Sequence, residues 1–101
     1  MVSIIIPSYF DPFLQKTIDS VLENAQGKIQ VIPVLDGYTP KEPLKKDKRV
    51  EPLFLQKIHG MRGAINEGLR SARGKFIMKC DSHCAFAPCF DKVIARTFKD
   101  N

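Results

Sequence analysis

Asp81, Ser82 and His83 form the most chemically suggestive triplet of the chain. A carboxylate and an imidazole two residues apart, just past an apolar run, can point at one cation. A hard divalent ion such as Mn2+ accepts both oxygen and nitrogen ligands, and its open positions would take phosphate oxygens. The plainer reading of D-x-H alone is an Asp-Ser turn beside a solvated histidine. Asp36 precedes Gly37 at the end of a second apolar run. A carboxylate there can accept from the imide N–H of a uracil or from a ribose hydroxyl, but Asp-Gly is also a common turn pair. Gly60-Met61-Arg62-Gly63 opens a helical pattern, whose free N–H groups and dipole attract anions, with Arg62 placed to pair with a phosphate. His59, just before it, reads as a turn or capping residue. The spacing is neither G-x-G-x-x-G nor G-x-x-x-x-G-K-[ST], which excludes a dinucleotide dehydrogenase and a P-loop nucleotidase. Cys80, Cys84 and Cys89 are spaced C-x3-C-x4-C, without the C-x-x-C of zinc knuckles, and their odd number argues against a disulfide framework.

These residues need elements to hold them. V-S-I-I-I-P at 2–7 is β-branched and continuous, the pattern of a buried strand that Pro7 ends. Asp11-Pro12 reads as a helix start, with Asp as N-cap and Pro in the first turn. Leu14, Ile18, Val21, Leu22 and Ala25 then form one apolar stripe, with Gly27 as its stop. I-Q-V-I-P-V-L at 29–35 is a second strand weakened by Pro33. Residues 38–49 form a polar basic loop with room for a short helix over 43–48. Residues 50–55 suit a short strand near an edge. Met61, Ile65, Leu69 and Ala72 mark the buried face of a second long helix ended by Gly74. K-F-I-M-K-C at 75–80 is a fourth strand, and a last helix starts near Pro88. Strands alternating with helices imply an α/β fold: a Rossmann-like, mainly parallel sheet of about four strands flanked by helices, in a single domain over 1–101. Ligands of such sheets bind at the carboxyl ends of the strands, where Ser8-Tyr9, Asp36-Gly37, His59-Gly60 and Asp81-Ser82-His83 all fall.

Composition narrows the classes. The 101 residues are 44% hydrophobic and 27% charged, which argues against a disordered chain. No run reaches the ~20 apolar residues of a transmembrane helix. The opening apolar stretch is too short for a signal peptide, so a cytoplasmic location is expected. Net charge is +5, and +4 of it lies between Lys41 and Arg62. That stretch holds one aromatic, Phe54, so it lacks the interleaved footprint of a nucleic-acid surface, and no nucleic-acid partner is expected.

Five segments occur in a familiar order: V-S-I-I-I-P-S-Y at 2–9, T-I-D-S-V-L at 17–22, V-L-D-G at 34–37, G-A-I-N-E-G-L-R-S-A-R-G-K-F-I at 63–77 and C-D-S-H at 80–83. Together they resemble the nucleotide-sugar-binding half of family 2 glycosyltransferases, which have the GT-A fold. D-S-H-C at 81–84 resembles the D-x-H metal motif of polypeptide N-acetylgalactosaminyltransferases, where most family 2 members have D-x-D. The resemblance implies a sugar transfer from a UDP-sugar donor to an unknown acceptor. Pro7, Ser8 and Tyr9 would line the nucleotide pocket and Asp36 would contact the uridine. Arg62 would lie near the diphosphate or base, and Asn66 falls at the family's frequent helix Asn. Asp81 and His83 would bind Mn2+ or Mg2+, with Ser82 near the ribose. The pattern departs from the family at Leu35, where a first acidic residue is usual, and at Tyr38-Thr39-Pro40 after the Gly. No position matches the acceptor-binding half or its catalytic base, so the catalytic residue is unknown and the chain reads as a truncated GT-A unit. Two expectations follow: a non-catalytic nucleotide- or partner-binding module is the alternative to a transferase, and a bare sheet edge favours a homo-oligomer.

Overall fold

The computed structural model describes residues 1–82. The elements run β1 (Val2–Ser8), α1 (Leu14–Asn24), β2 (Ile29–Asp36), β3 (Leu53–Leu55), α2 (Gly60–Ser71) and β4 (Phe76–Lys79). The sheet order is β3-β2-β1-β4, with every pairing parallel. The expected four-stranded α/β sheet is therefore present, with residues 50–55 reduced to the short edge strand β3. The final helix expected near Pro88 lies outside the described residues.

β1 and β2 are buried along their whole length because both faces are covered. Alternation sorts their side chains. Val2, Ile4 and Ile6 of β1 face α1 with Val31 and Leu35 of β2, against Leu14, Ile18 and Val21. Ile5 faces α2 with Ile32 and Val34, against Ala64. β1 runs past Pro7 to Ser8, pairing Pro7 with Val34 and Ser8 with Leu35. Pro33 is tolerated inside β2 for a specific reason. The Val31 and Gly37 N–H groups donate to Arg49 and Leu55, so odd positions of β2 aim their donors at the β3 side. The donor missing at Pro33 thus faces the stretch between the Val31–Val50 bridge and the Val34–Leu53 pair, where the neighbouring chain leaves the ladder.

Several boundaries differ from the sequence reading. α1 starts at Leu14, not at Pro12. The Asp11 carboxylate accepts from the Phe13 N–H at 2.8 Å, closing an Asx turn before the helix instead of capping it. Neither helix ends on its glycine: Ala25 and Ala72 leave in extended conformation. Gly74 serves close approach instead, since a Cβ there would sit 2.7 Å from the Ser3 nitrogen. No helix forms over 43–48.

The largest correction concerns α2. Met61, Ile65, Leu69 and Ala72 were expected to face the core, but Met61 and Leu69 are exposed and Ala64 and Gly68 are the buried positions. A Cβ at Gly68 would lie 2.6 Å from Ile5 Cγ2, so the helix lies too close to the sheet for larger side chains. A buried polar tie fixes that approach. Ser3 donates to Gln30 at 2.7 Å, Gln30 donates to the Ser71 carbonyl and accepts from the Arg73 N–H, and the Gly74 N–H donates to Ser3. It satisfies a carbonyl of the last turn of α2 that the helix itself leaves open.

Candidate functional site

At the carboxyl edge of the sheet a pocket of about 470 Å3 lies between the ends of β1 and β2 and the first turns of α2. Pro7, Ser8, Tyr9, Asp36, Ile58, Gly60, Met61 and Ala64 line it. Asp36 is almost fully buried, and its two oxygens accept from the His59 N–H at 2.7 Å and the Gly60 N–H at 2.9 Å. A carboxylate at the end of β2 thus caps α2 from a separate element, where helices carry unpaired donors and a positive dipole end. The anion-attracting helix start expected from Gly60-Met61-Arg62-Gly63 is therefore already engaged by an internal anion. His59 fits its reading as a turn residue, with Nδ1 2.6 Å from the Lys57 carbonyl.

Ser8 is buried and shares a 2.6 Å hydrogen bond with the Tyr38 hydroxyl. Tyr9, Phe10 and Tyr38 form an aromatic cluster, with Tyr9 and Phe10 edge to face at 4.9 Å between centroids and Phe10 and Tyr38 tilted at 4.4 Å. Tyr9 remains well exposed.

A second constellation lies past β4. Lys79 pairs with Ile5 and the Cys80 N–H donates to the Ile5 carbonyl, so the chain leaves the sheet beside the middle of β1, three residues before that strand ends. Thr17 on α1 donates to the Ser82 carbonyl at 2.8 Å, and the Ser82 hydroxyl donates to Asp11 at 2.6 Å. These contacts clasp the turn that carries Asp81, whose own side chain is exposed. Cys80 is buried in the α1-side core, with its Sγ 3.0 Å from the Asp81 carbonyl, and packs there as a small hydrophobe.

Of the sequence candidates, Pro7, Ser8, Tyr9 and Asp36 converge on the pocket. Arg62 and Asn66 are exposed on α2 and do not line it. Ser82 does not line it either, because its hydroxyl is turned to Asp11 and the residue is 7% exposed. His83 lies outside the described residues. Sequence reasoning missed Ile58, Met61 and Ala64 as lining residues, because Met61 was assigned to a buried stripe. It also passed over Tyr38, whose link to Ser8 depends on strand register and leaves no local pattern. The apolar pair Ile58 and Met61 flanking His59-Gly60 was the available signal.

Residues 3–101 match the family model described as glycosyl transferase family 2. An uncharacterized glycosyltransferase, EpsJ of Bacillus subtilis (strain 168), is 36% identical over 85 residues, covering 76% of this chain and 24% of its own length. An uncharacterized glycosyltransferase of Rickettsia bellii (strain RML369-C) is 35% identical over 91 residues, covering 84% of this chain and 13% of its own. The chain thus spans about a quarter or less of these relatives. The crystal structure of S. aureus TarS superimposes with a TM-score of 0.80 at 19% identity, over 98% of this chain and 19% of that one. A shorter form, TarS 1-349, gives 0.76 at 20% identity over 98% and 32%. At these identities the structural likeness concerns the fold.

Proposed function

The chain belongs to glycosyl transferase family 2, and on that premise we propose that it supplies the donor-binding part of a metal-assisted glycosyltransferase using a UDP-sugar. The observation that carries this reading is the pocket in which exposed Tyr9 and buried Asp36 meet at the carboxyl edge of the sheet. An aromatic face beside a fixed carboxylate suits a nucleobase: the ring stacks, and the carboxylate accepts from an imide N–H. Asp36 spends one acceptor position per oxygen on α2, and a carboxylate has about four such positions. Capping the helix and reading a uracil are therefore compatible for one side chain. The Tyr38 bond keeps the Ser8 hydroxyl in place at the pocket wall. Arg62, exposed in the first turn of α2, is free to swing onto a phosphate, and Asn66 follows it one turn along. Ser82 acts on the turn rather than on the ribose.

Asp81 and His83 would hold a divalent ion. The exposed Asp81 carboxylate fits: it pairs with no group among the described residues, and carboxylate oxygen suits Mn2+ or Mg2+. Among the described residues no group of three potential ligands gathers, so the rest of the coordination would come from phosphate, water and residues past Ser82. When bound, such an ion would neutralise charge on the departing diphosphate.

Titration calorimetry with UDP, with and without Mn2+, tests this. UDP binding should tighten with Mn2+, and Asp81→Ala should abolish the difference. Asp36→Asn should weaken UDP about tenfold with or without metal, corresponding to ~1.4 kcal/mol. Metal-independent UDP binding in the wild type would remove the ion from the reading. Self-association belongs to the same reading, since among the described residues β4 is an outer strand with half-exposed Ile77. A monomeric mass by light scattering would refute it.

A further inference from the structure

Pro7 decides where β4 must stop. The Met1 and Ile5 carbonyls accept from the Phe76 and Cys80 N–H groups, so odd positions of β1 aim their backbone groups at β4. Pro7 is the next odd position, and proline has no N–H to give. The ladder between β1 and β4 therefore ends with Lys79 opposite Ile5, although β1 runs on to Ser8 beside β2. From the Cys80 carbonyl onward the chain needs other partners, because buried backbone groups must be paired.

Side chains supply them. Cys80 Sγ lies 3.0 Å from the Asp81 carbonyl. Thr17 Oγ1 donates to the Ser82 carbonyl at 2.8 Å, and Ser82 Oγ donates to Asp11 Oδ2 at 2.6 Å. The other Asp11 oxygen accepts from the Phe13 N–H, so Asp11 is itself fixed by the turn that leads into α1. Thr17 is 1% exposed, and α1 buries it together with Leu14, Ile18 and Val21. Valine has the same branched shape, so packing alone does not call for a hydroxyl there. The result is an alternation around Asp81: Cys80 and Ser82 are buried and bound, and Asp81 between them is exposed.

We propose, on the metal reading of Asp81, that Thr17, Ser82 and Asp11 are its positioning residues. They replace the ladder that Pro7 cuts short and hold the turn ready, so the Asp81 carboxylate need not be ordered when an ion arrives. All three act through Asp81. A ligand fixed beforehand loses less freedom on binding, and partners that orient metal ligands are typically worth about 10–100-fold in metal affinity. Thr17 thus reaches the site from the buried face of a helix that lines no part of the donor pocket.

Calorimetric titration of the full chain with UDP, with and without Mn2+, tests this. Thr17→Val should weaken UDP about tenfold in Mn2+ and leave binding without metal unchanged. Thr17→Ser keeps the hydroxyl and should restore the wild-type affinity in Mn2+. Ser82→Ala leaves α1 intact and removes the bond to Asp11. It should show the same Mn2+-dependent loss even if Thr17→Val does not fold. A wild type whose UDP binding ignores Mn2+ would remove the metal reading and this inference with it. A wild type that responds to Mn2+, with Thr17→Val and Ser82→Ala responding equally, would overturn this inference alone. So would an equal loss by Thr17→Val without metal, or a Thr17→Ser protein no better than Thr17→Val.

Discussion

The two helices look alike in sequence and meet the sheet in opposite ways. α1 drives Leu14, Ile18 and Val21 into the aliphatic layer formed by Val2, Ile4, Ile6, Val31 and Leu35. α2 presents only Ala64 and Gly68 to the sheet and leaves Met61 and Leu69 in solvent. A helix held off by large side chains makes a core. A helix pressed close by small ones brings its backbone to the strand ends. There Asp36 reaches its first N–H groups, and Met61 is left to line a pocket. The α1 side makes the larger core and the α2 side leaves a pocket.

That contrast is sharpest at two apolar positions. Ile18 is 1% exposed and Leu69 is 43% exposed. Ile18→Ala removes buried methylenes and leaves a cavity, so it should cost about 3 kcal/mol. Leu69→Ala should change stability by less than about 0.5 kcal/mol, as surface substitutions do. Urea unfolding of the two variants measures both. Comparable losses would mean that α2 packs through its large residues after all.

Gly68→Ala probes the same difference from the other direction. Alanine is the better helix former, so on an exposed face the change would add stability. Here the new Cβ meets Ile5 Cγ2 at 2.6 Å and Val34 Cγ2 at 3.3 Å, and both neighbours are buried. Overpacking of this kind should cost about 1–3 kcal/mol. It should also push the first turns of α2 from Asp36 and, on the donor-binding proposal, weaken UDP binding. A stabilised Gly68→Ala protein would show that the close approach has slack.

How much of this was legible beforehand follows the same division. The strands and α1 carry their own signals: β-branched runs buried on both faces, and one wide apolar stripe. The order of elements and the sheet came directly from them. The face of α2 was misread because hydrophobic periodicity assumes that the largest apolar residues are inside. Where backbone packs on a sheet, the informative residues are the smallest. Ser8, Tyr9 and Asp36 were legible because strand ends locate such sites, whereas Pro7 followed only from the family resemblance. The capping role of Asp36 and the Asp11–Ser82–Thr17 clasp were not legible. Each joins residues 23 or more positions apart, through a geometry that only the folded sheet creates.

The smallest effect concerns how each side is stitched to the β3 edge. On the α1 side, Arg49 donates to the Leu22 carbonyl and forms an ion pair with Asp47, two residues away. On the α2 side, Arg73 donates to both oxygens of Glu51 at 2.9 Å, joining the end of α2 to the approach to β3. The hydrogen bond from Arg73 holds the Glu51 carboxyl below its ordinary range, and that from Arg49 does the same for Asp47. A depressed folded-state value means the contribution is complete above the unfolded-state pKa. It is lost as pH falls through the folded-state value, so acid should lower the melting temperature on this account. The Arg73–Glu51 pair is exposed and the Arg49–Asp47 pair half-exposed, so the loss is small and shrinks with salt. Glu51→Gln should flatten the acid limb of melting temperature against pH more than Asp47→Asn does. The reason is that Glu51–Arg73 ties two separate segments, whereas Asp47–Arg49 closes a turn within one loop. An equal flattening would mean that the α2 side is no more dependent on its stitch than the α1 side.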